Sequence, residues 1–406
     1  MKKTKFIILS LTIALSFLLA ACFSGWAEEE PSKGAIILNL GGVSVPSRAA
    51  ATMGDIDYTI TLFNANNHAD NGTDYGPLRA GALIKITVNP GYYKIRVAAY
   101  LNGAFYARGE TDPAVPVQVI AGSTTTVPIL LAVDLHSYLT APVFSSANVI
   151  DLPLAVTLSS SKWNEILSAI DSESKNVNLD LSQCKRSTDT SGGGLYSNGT
   201  FDPDFSNPTG KNLIKSLILP DAATAIQAGT AGGNATFNDF TSMSAIDTGN
   251  GIQTIGDYAF CNLNPCLANV TLGSNVTTIG QYAFIYCSFL NGIIFPDSLT
   301  EIGTGAFQAC ASLYNESIII PPNRNGTPVT VKTDAFPEPR RVVIPDDAIL
   351  ESNAFETGNS YLVEIKIGSG VVLDPNAIQA PGSFYTEYST NGSGTYTWDG
   401  TAWNRM

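Results

Sequence analysis

Cysteine, histidine and carboxylate side chains are the groups through which this chain could do chemistry, and their number and spacing restrict it sharply. There are six cysteines and two histidines in 406 residues. The histidines, His68 and His136, stand far apart in sequence, which leaves little for acid/base work, a nucleophile triad or zinc. Cys261 and Cys266 are close neighbours with Pro265 between them, and a pair so placed is either a disulfide or two separate thiols. Zinc would require a second pair or histidines nearby. Cys287 and Cys310 each stand three residues after a phenylalanine, Phe284 and Phe307, where a small buried side chain fits. Cys184 also reads as a buried thiol. No G-x-S-x-G elbow, P-loop or EF-hand spacing occurs. Carboxylates are plentiful, but spacing nominates no pair for acid and base roles. Neither a metal nor a cofactor is expected.

The elements that must carry these groups follow from composition. With 36 Gly, 22 Pro, 9% aromatic residues and only 14% charged ones, the chain is too apolar for disorder and favours strands and turns over helices. Its length suggests two or three domains. The formal charge of −13 repels phosphate backbones, so nucleic acid is not an expected partner.

Lys2, Lys3 and Lys5 precede an unbroken run of apolar and small residues from Phe6 to Ala21, the pattern of an export signal. Leu19-Ala20-Ala21-Cys22 then resembles the lipobox of bacterial lipoproteins. That resemblance implies cleavage before Cys22 and a lipid on its thiol, which would hold the protein on a membrane with no spanning helix. Loss of the three lysines takes the charge from −13 to −16. Five cysteines remain besides Cys22, so a complete set of intrachain disulfides is excluded. Residues 22–33, with Glu28-Glu29-Glu30-Pro31, read as a solvated tether. Phe23 after the lipidated cysteine, rather than Asp, favours the outer membrane or cell surface by analogy with lipoprotein sorting.

Residues 34–133 read as an antiparallel β-sandwich of about seven strands. Apolar residues alternate at Ile60 and Leu62, at Ile84, Ile86 and Val88, and at Tyr93, Ile95, Val97 and Ala99. Val115–Val119 and Thr125–Leu131 add two more strands, and Asn89-Pro90-Gly91 and Asn102-Gly103 read as hairpin turns. The stretch from Pro90 to Val97 resembles prealbumin-like and carboxypeptidase-regulatory sandwich modules. Residues 134–210 read as a linker and N-terminal cap. They hold a strand over Leu152–Leu158, a helix capped by Ser160 or Ser161 with Trp163, Ile166, Leu167 and Ile170 on one face, and a strand at Val177, Leu179 and Leu181.

Beyond residue 210 the chain repeats. Ile255-Gly256-Asp257-Tyr258-Ala259-Phe260, Ile279-Gly280-Gln281-Tyr282-Ala283-Phe284 and Ile302-Gly303-Thr304-Gly305-Ala306-Phe307 recur at spacings of 24 and 23 residues, the mark of a solenoid. Each unit is one coil that buries its apolar residues only against the coils above and below. The pattern L-x-x-I-x-I-P followed by I-G-x-x-A-F-x-x-C-x-x-L resembles the BspA-like, treponemal-type leucine-rich repeat over residues 211–380. Units depart from it near Leu267, around Asn323–Thr327 and at Val331–Phe336. Residues 381–406, rich in Tyr and Trp with a turn at Asp399-Gly400, read as a C-terminal β-hairpin cap. The fold is thus mostly β, a sandwich followed by a capped leucine-rich repeat solenoid.

In a strand written I-x-I the middle residue points off the coil axis onto the concave surface. Those residues are Ile218, Thr271, Ile294, Ile319, Val343 and Lys366. Four are aliphatic, which makes them a candidate binding stripe, though β-branched residues also simply suit a strand. The family resemblance implies adhesion to host or bacterial partners. The expected protein is a monomeric envelope lipoprotein, bound to the membrane through Cys22, that binds a protein or glycan without catalysis. A glycan-acting envelope enzyme using loop carboxylates and a purely structural envelope component are the alternatives.

Overall fold

Alternating buried and exposed residues build the N-terminal unit, as a half-buried sheet requires. The computed structural model describes residues 33–41, 56–66, 72–79, 84–101, 103–112, 115–145, 147–187, 195–197, 199–203, 209–230, 235–263, 267–322, 326–336, 339–355, 362–378 and 384–406. The export signal, Cys22, most of the tether, His68, Asn102 and Cys266 lie outside them. The chain divides into two compact units at Ala147/Asn148.

In the first unit, β1 (Gly34–Gly41), β2 (Ile56–Asn64), β3 (Thr73–Arg79), β4 (Lys85–Val88), β5 (Gly91–Leu101), β6 (Ala104–Glu110), β7 (Val117–Val119), β8 (Thr124–Leu130) and β9 (Ala132–Val133) form two sheets. One has the order β4-β1-β8; the other is β3-β2-β5-β6-β9, with β7 beside β5. Ile36, Leu38, Ile60, Leu62, Val97 and Ile129 are among the buried core residues.

Two expectations are corrected here. The sandwich is not wholly antiparallel, because β1 runs parallel to β8 from Ala35↔Thr124 to Gly41↔Leu130. The long chain between them leaves room for the crossover a parallel pair needs. Asn89-Pro90-Gly91 is also no hairpin, since β4 pairs with β1 and β5 with β2. Pro90 has no N–H for a ladder, and the chain passes there from one sheet to the other. By contrast β5 and β6 do form a tight antiparallel hairpin, with Leu101 opposite Ala104 and Gly103 at φ +78°.

The first part of 134–210 belongs to the first unit. Asp134 caps α1 (Leu135–Leu139) by accepting from Ser137 N–H at 3.0 Å, and Tyr138 packs edge-on to Tyr106 of β6 at 5.3 Å. The remainder, from Asn148, is solenoid. Leu152–Leu158 is not one strand. Ile150–Pro153 and Thr157–Leu158 lie in different sheets, because the chain turns after Pro153 and becomes two sides of a coil. Helix α2 (Ser160–Glu173) follows, with Ser159 rather than Ser160 or Ser161 as its cap, accepting from Lys162 N–H at 3.2 Å. Trp163, Ile166, Leu167 and Ile170 form its buried face as expected.

The coils stack through parallel strands. Ile150–Pro153, Val177–Asp180, Ile214–Ile218, Ala245–Asp247 and Asn269–Thr271 form one sheet, and Ser317–Ile319, Arg341–Ile344 and Glu364–Ile367 continue in a second. A nine-stranded sheet of two-residue rungs runs along another side, burying Ile226, Ile255, Ile279, Ile302, Val331 and Leu350.

The Ala-Phe pairs form the third side. The rings of Phe237, Phe260, Phe284, Phe307, Phe336 and Phe355 stack in sequence, with centroids 4.7, 4.9, 5.1, 5.1 and 5.2 Å apart and planes within 16°. Beside them each Phe N–H donates to the alanine carbonyl of the next coil, at 2.7 Å from Phe260 to Ala283 and 2.8 Å from Phe284 to Ala306 and from Phe307 to Ala335.

Two residues before the last five of these six phenylalanines the backbone is left-handed, at Tyr258, Tyr282, Gly305, Asp334 and Asn353. There it aims another N–H at the next coil, for example Tyr282 to Thr304 O at 2.8 Å. Coils approach so closely that a Cβ on Gly303 would sit 2.6 Å from the carbonyl carbon of Gly280.

The C-terminus closes the stack. Gly394–Trp398 pairs antiparallel with Glu364–Ile367, and Trp403–Arg405 pairs with it in turn. Phe384 of α3 (Phe384–Asn391) packs edge-on to Tyr396 at 5.3 Å and Trp403 at 5.4 Å. Asp399 holds the turn, accepting from Thr401 N–H and Ala402 N–H at 2.8 Å, and these bonds keep its carboxyl below the usual carboxylate range.

Phe307 is fully buried between two stacked rings. Phe307→Ala should therefore cost about 3–5 kcal/mol, the range for removing a buried aromatic side chain. Urea unfolding of the variant checks this; a loss under about 1 kcal/mol would mean the ring column does not hold the coils.

Candidate functional site

Strand register decides which side chains share a surface. Ile318 and Ile320, Val342 and Ile344, and Ile365 and Ile367 are buried, whereas the residue between each pair faces outward. All six stripe residues lie outside the core: Ile294 is 87% and Ile319 54% exposed, Thr271 and Lys366 are exposed, and Ile218 and Val343 are half-buried.

The structure does not join all six into one apolar stripe. A rung absent from the sequence reading, Ala245–Asp247, lies between Ile218 and Thr271, with Ile218↔Asp247 and Asp247↔Thr271 in register. Asp247 turns its carboxylate to the Gly249 N–H at 2.8 Å, which separates Ile218 from the rest. At the far end Ile319↔Val343↔Lys366↔Thr395 form a continuous column. The aliphatic part therefore reduces to Ile294, Ile319 and Val343, bounded by Thr271 and Lys366. Beside it Ser317, Arg341 and Glu364 make a polar column, where Arg341 Nε meets Glu364 Oε1 at 2.7 Å.

Ile294 occupies a rung at which the ladder of this face breaks. Residues 291–296 form no strand, and the parallel ladder stops at Asn269–Thr271 and resumes at Ser317–Ile319. The same coil carries two more exposed apolar side chains that sequence reasoning missed, Tyr286 at 53% and Phe289 at 51%. Their signal was present. Two and five residues after the Ala-Phe phenylalanine the neighbouring coils have Asn262 and Pro265, or Ala309 and Ser312, whereas this coil has Tyr286 and Phe289.

The four described cysteines are packing groups. Cys184, Cys261, Cys287 and Cys310 are free and buried. The thiols of Cys287 and Cys310 donate to Phe260 O and Phe284 O, each at 3.1 Å, and that of Cys184 to Leu154 O at 3.4 Å. Burial pushes Cys184 and Cys310 up to about 12 and Cys287 well above the ordinary thiol value. A thiol that stays protonated at neutral pH is a poor nucleophile and metal ligand. His136 is exposed on α1. Among the described residues no three His, Cys, Asp or Glu side chains are grouped to hold a metal, and no helix is long and apolar enough to cross a membrane.

Comparison with known proteins agrees with this geometry. Residues 210–336 match the BspA type Leucine rich repeat region in six copies. That stretch of the second unit is thus similar to the BspA-type leucine-rich repeat, and its stacked parallel rungs are the solenoid such repeats build. Among solved structures, a leucine-rich repeat protein from Bacteroides ovatus ATCC 8483 is 18% identical, with a TM-score of 0.28, covering 38% of this chain and 48% of its own. No curated protein matches the chain.

Native protein at pH 8 treated with iodoacetamide should leave Cys184, Cys287 and Cys310 unmodified, while urea-unfolded protein is alkylated at all three. Peptide mass spectrometry reads each site. Rapid native modification of Cys287 or Cys310 would show that these thiols are not sealed between coils.

Proposed function

We propose that this protein is a membrane-tethered lipoprotein of the cell envelope, facing the outer membrane or cell surface, whose repeat surface binds a protein or glycan without catalysis. Adhesion is the activity this reading implies. The observation that carries it is the pair Ile294 and Ile319, both more than half exposed on successive coils. A monomeric soluble protein rarely leaves aliphatic side chains grouped in water, and such grouping commonly marks an interaction site. Tyr286 and Phe289 enlarge the apolar area of the same coil, and aromatic side chains are frequent anchors at interfaces. The repeat architecture supports recognition over catalysis because its repeated coils build an extended surface from outward-facing strand positions. Leu19-Ala20-Ala21-Cys22 supports the tether, with Cys22 carrying the lipid.

The test is the double substitution Ile294→Asp and Ile319→Asp, with protein from Glu28 onward applied to arrays of extracellular-matrix proteins and bacterial and host glycans. The variant should melt within about 2 °C of the parent, since both side chains are outside the core, and lose at least tenfold in affinity for whatever the parent binds. Undiminished binding by the folded variant would remove this face from the binding surface, and a parent that binds nothing on either array would count against adhesion.

A further inference from the structure

One rung of the solenoid has the sequence of a strand without the bonds of one. Gly292-Ile293-Ile294-Phe295-Pro296 follows the same pattern as Ser317-Ile318-Ile319-Ile320-Pro321 and Arg341-Val342-Val343-Ile344-Pro345, and in those two segments Ser317–Ile319 and Arg341–Ile344 are paired strands. Isoleucine and phenylalanine favour strands. The Asn291 N–H donates to Ala268 O at 3.1 Å and the Leu299 N–H to Pro296 O at 3.0 Å, but from Gly292 to Phe295 the backbone forms no hydrogen bond to another backbone group among the described residues.

Both neighbouring strands turn peptide groups toward this rung. Asn269 N–H donates to Ser244 O, and Thr271 O accepts from Thr248 N–H, both on the side of the preceding coil, so the alternation of a parallel strand aims the Val270 peptide groups at Ile293. Ile320 N–H donates to Val343 O, and Glu316 O accepts from Arg340 N–H, on the side of the following coil. Ser317 and Ile319 therefore aim theirs back at the rung. The core is open at the same place. The inward residues Ile246, Ile318, Val342 and Ile365 are at most 2% exposed, whereas Val270, Leu272 and Ile293 at the break are only half-buried. Leu290 and Phe295 are buried, and Phe295 packs edge-on to Phe307 at 5.8 Å. Both ends of the rung are thus anchored, and only its middle stands off. Gly292 adopts φ +140° there, with no neighbouring atom within 4 Å of the place a Cβ would take, a backbone that residues with side chains rarely adopt.

We propose that residues 292–295 are a latch in the solenoid: the rung alternates between this open form and a closed one paired with Asn269–Thr271 and Ser317–Ile319, and Gly292 sets the balance toward the open form. Closure supplies the missing ladder bonds and covers Val270, Leu272 and Ile293, so hydrogen bonding and apolar burial both favour it. It also brings Thr271, Ile294 and Ile319 into one column. A ligand that spans Ile294 and Ile319 then binds the closed form better and shifts the balance by that difference in affinity. This consequence rests on the reading of the face as a binding surface; the closure itself does not.

Site-resolved hydrogen exchange on the full chain, with no ligand added, compares the parent with Gly292→Ser, the residue type that opens the next rung at Ser317. In the parent, the amides of Ile293 and Ile294 should exchange at least tenfold faster than that of Ile320. In Gly292→Ser they should slow at least tenfold, because serine disfavours the open backbone, while the amides of Phe284 and Phe307 keep their parent protection. Parent amides at 293 and 294 as protected as Ile320 would overturn the proposal, since the rung would already be closed. Unchanged or faster exchange in a folded Ser variant would also overturn it and assign the break to the longer following coil, where Phe295 to Ile320 spans 25 residues against 23 from Leu290 to Leu313. A Ser variant that does not fold would count against it as well, because the coil would then require the glycine backbone and have no paired form. With no ligand present, each of these outcomes is independent of whether the face binds a protein or glycan.

Discussion

The stacking of one coil on the next is the interaction on which the second unit depends. At each Ala-Phe pair a ring lies flat on the ring below, while its N–H reaches the alanine carbonyl of the following coil. Stacked aromatic pairs contribute about 0.5–1.5 kcal/mol each beyond their buried area, and the amide bonds satisfy groups that burial would otherwise leave unpaired. Neither term exists within a single coil. Stability is therefore a property of the column, and every coil must hold its backbone at the same height and angle.

That demand explains residues which look arbitrary in isolation. Gly303 is fixed by its approach to Gly280, and Gly305 leaves room for the ring of Tyr282, against which a Cβ would collide. Left-handed backbone at Tyr258 and Tyr282 costs a bulky residue about 1–2 kcal/mol, offset by the N–H it delivers to the next coil. Cys287 and Cys310 bond a carbonyl of the preceding coil from a space that admits only a small side chain. Aspartates clamp neighbouring turns in the same way: Asp257 accepts from Gln281 N–H and Asp346 from Ser369 N–H, each at 2.7 Å. The Ser369 backbone and hydroxyl bonds hold the Asp346 carboxyl below its ordinary value. With these positions committed to stacking, the middle residues of the strands are the ones left to face water.

Much of this was legible in the sequence because stacking repeats and repetition is visible. The Ile-Gly-x-x-Ala-Phe recurrence placed the buried isoleucines and the ring column, and period-two alternation placed β2, β4 and β5. What escaped notice lacked those signals. The coils between Asn148 and Gly210 substitute α2 and short strands for the Ala-Phe turn, so they resembled a cap. The rung at Ala245–Asp247 has one buried aliphatic residue, Ile246, and no flanking Leu or Pro, which hid the aspartate dividing the stripe. The parallel β1–β8 pairing and the passage between sheets at Pro90 are long-range choices that no local pattern encodes. Tyr286 and Phe289 were discernible only as departures from the repeat.

Site-resolved hydrogen exchange on the native protein tests the central claim most directly. If the coils are held together by mutual cover, the amides of Phe284, Phe307 and Phe336 should exchange only through unfolding of their unit, with protection matching that of Ile279 and Ile302 on the opposite side of the column. Exchange of the phenylalanine amides orders of magnitude faster than those isoleucines would show that the ring column opens independently and that stacking does not govern the fold.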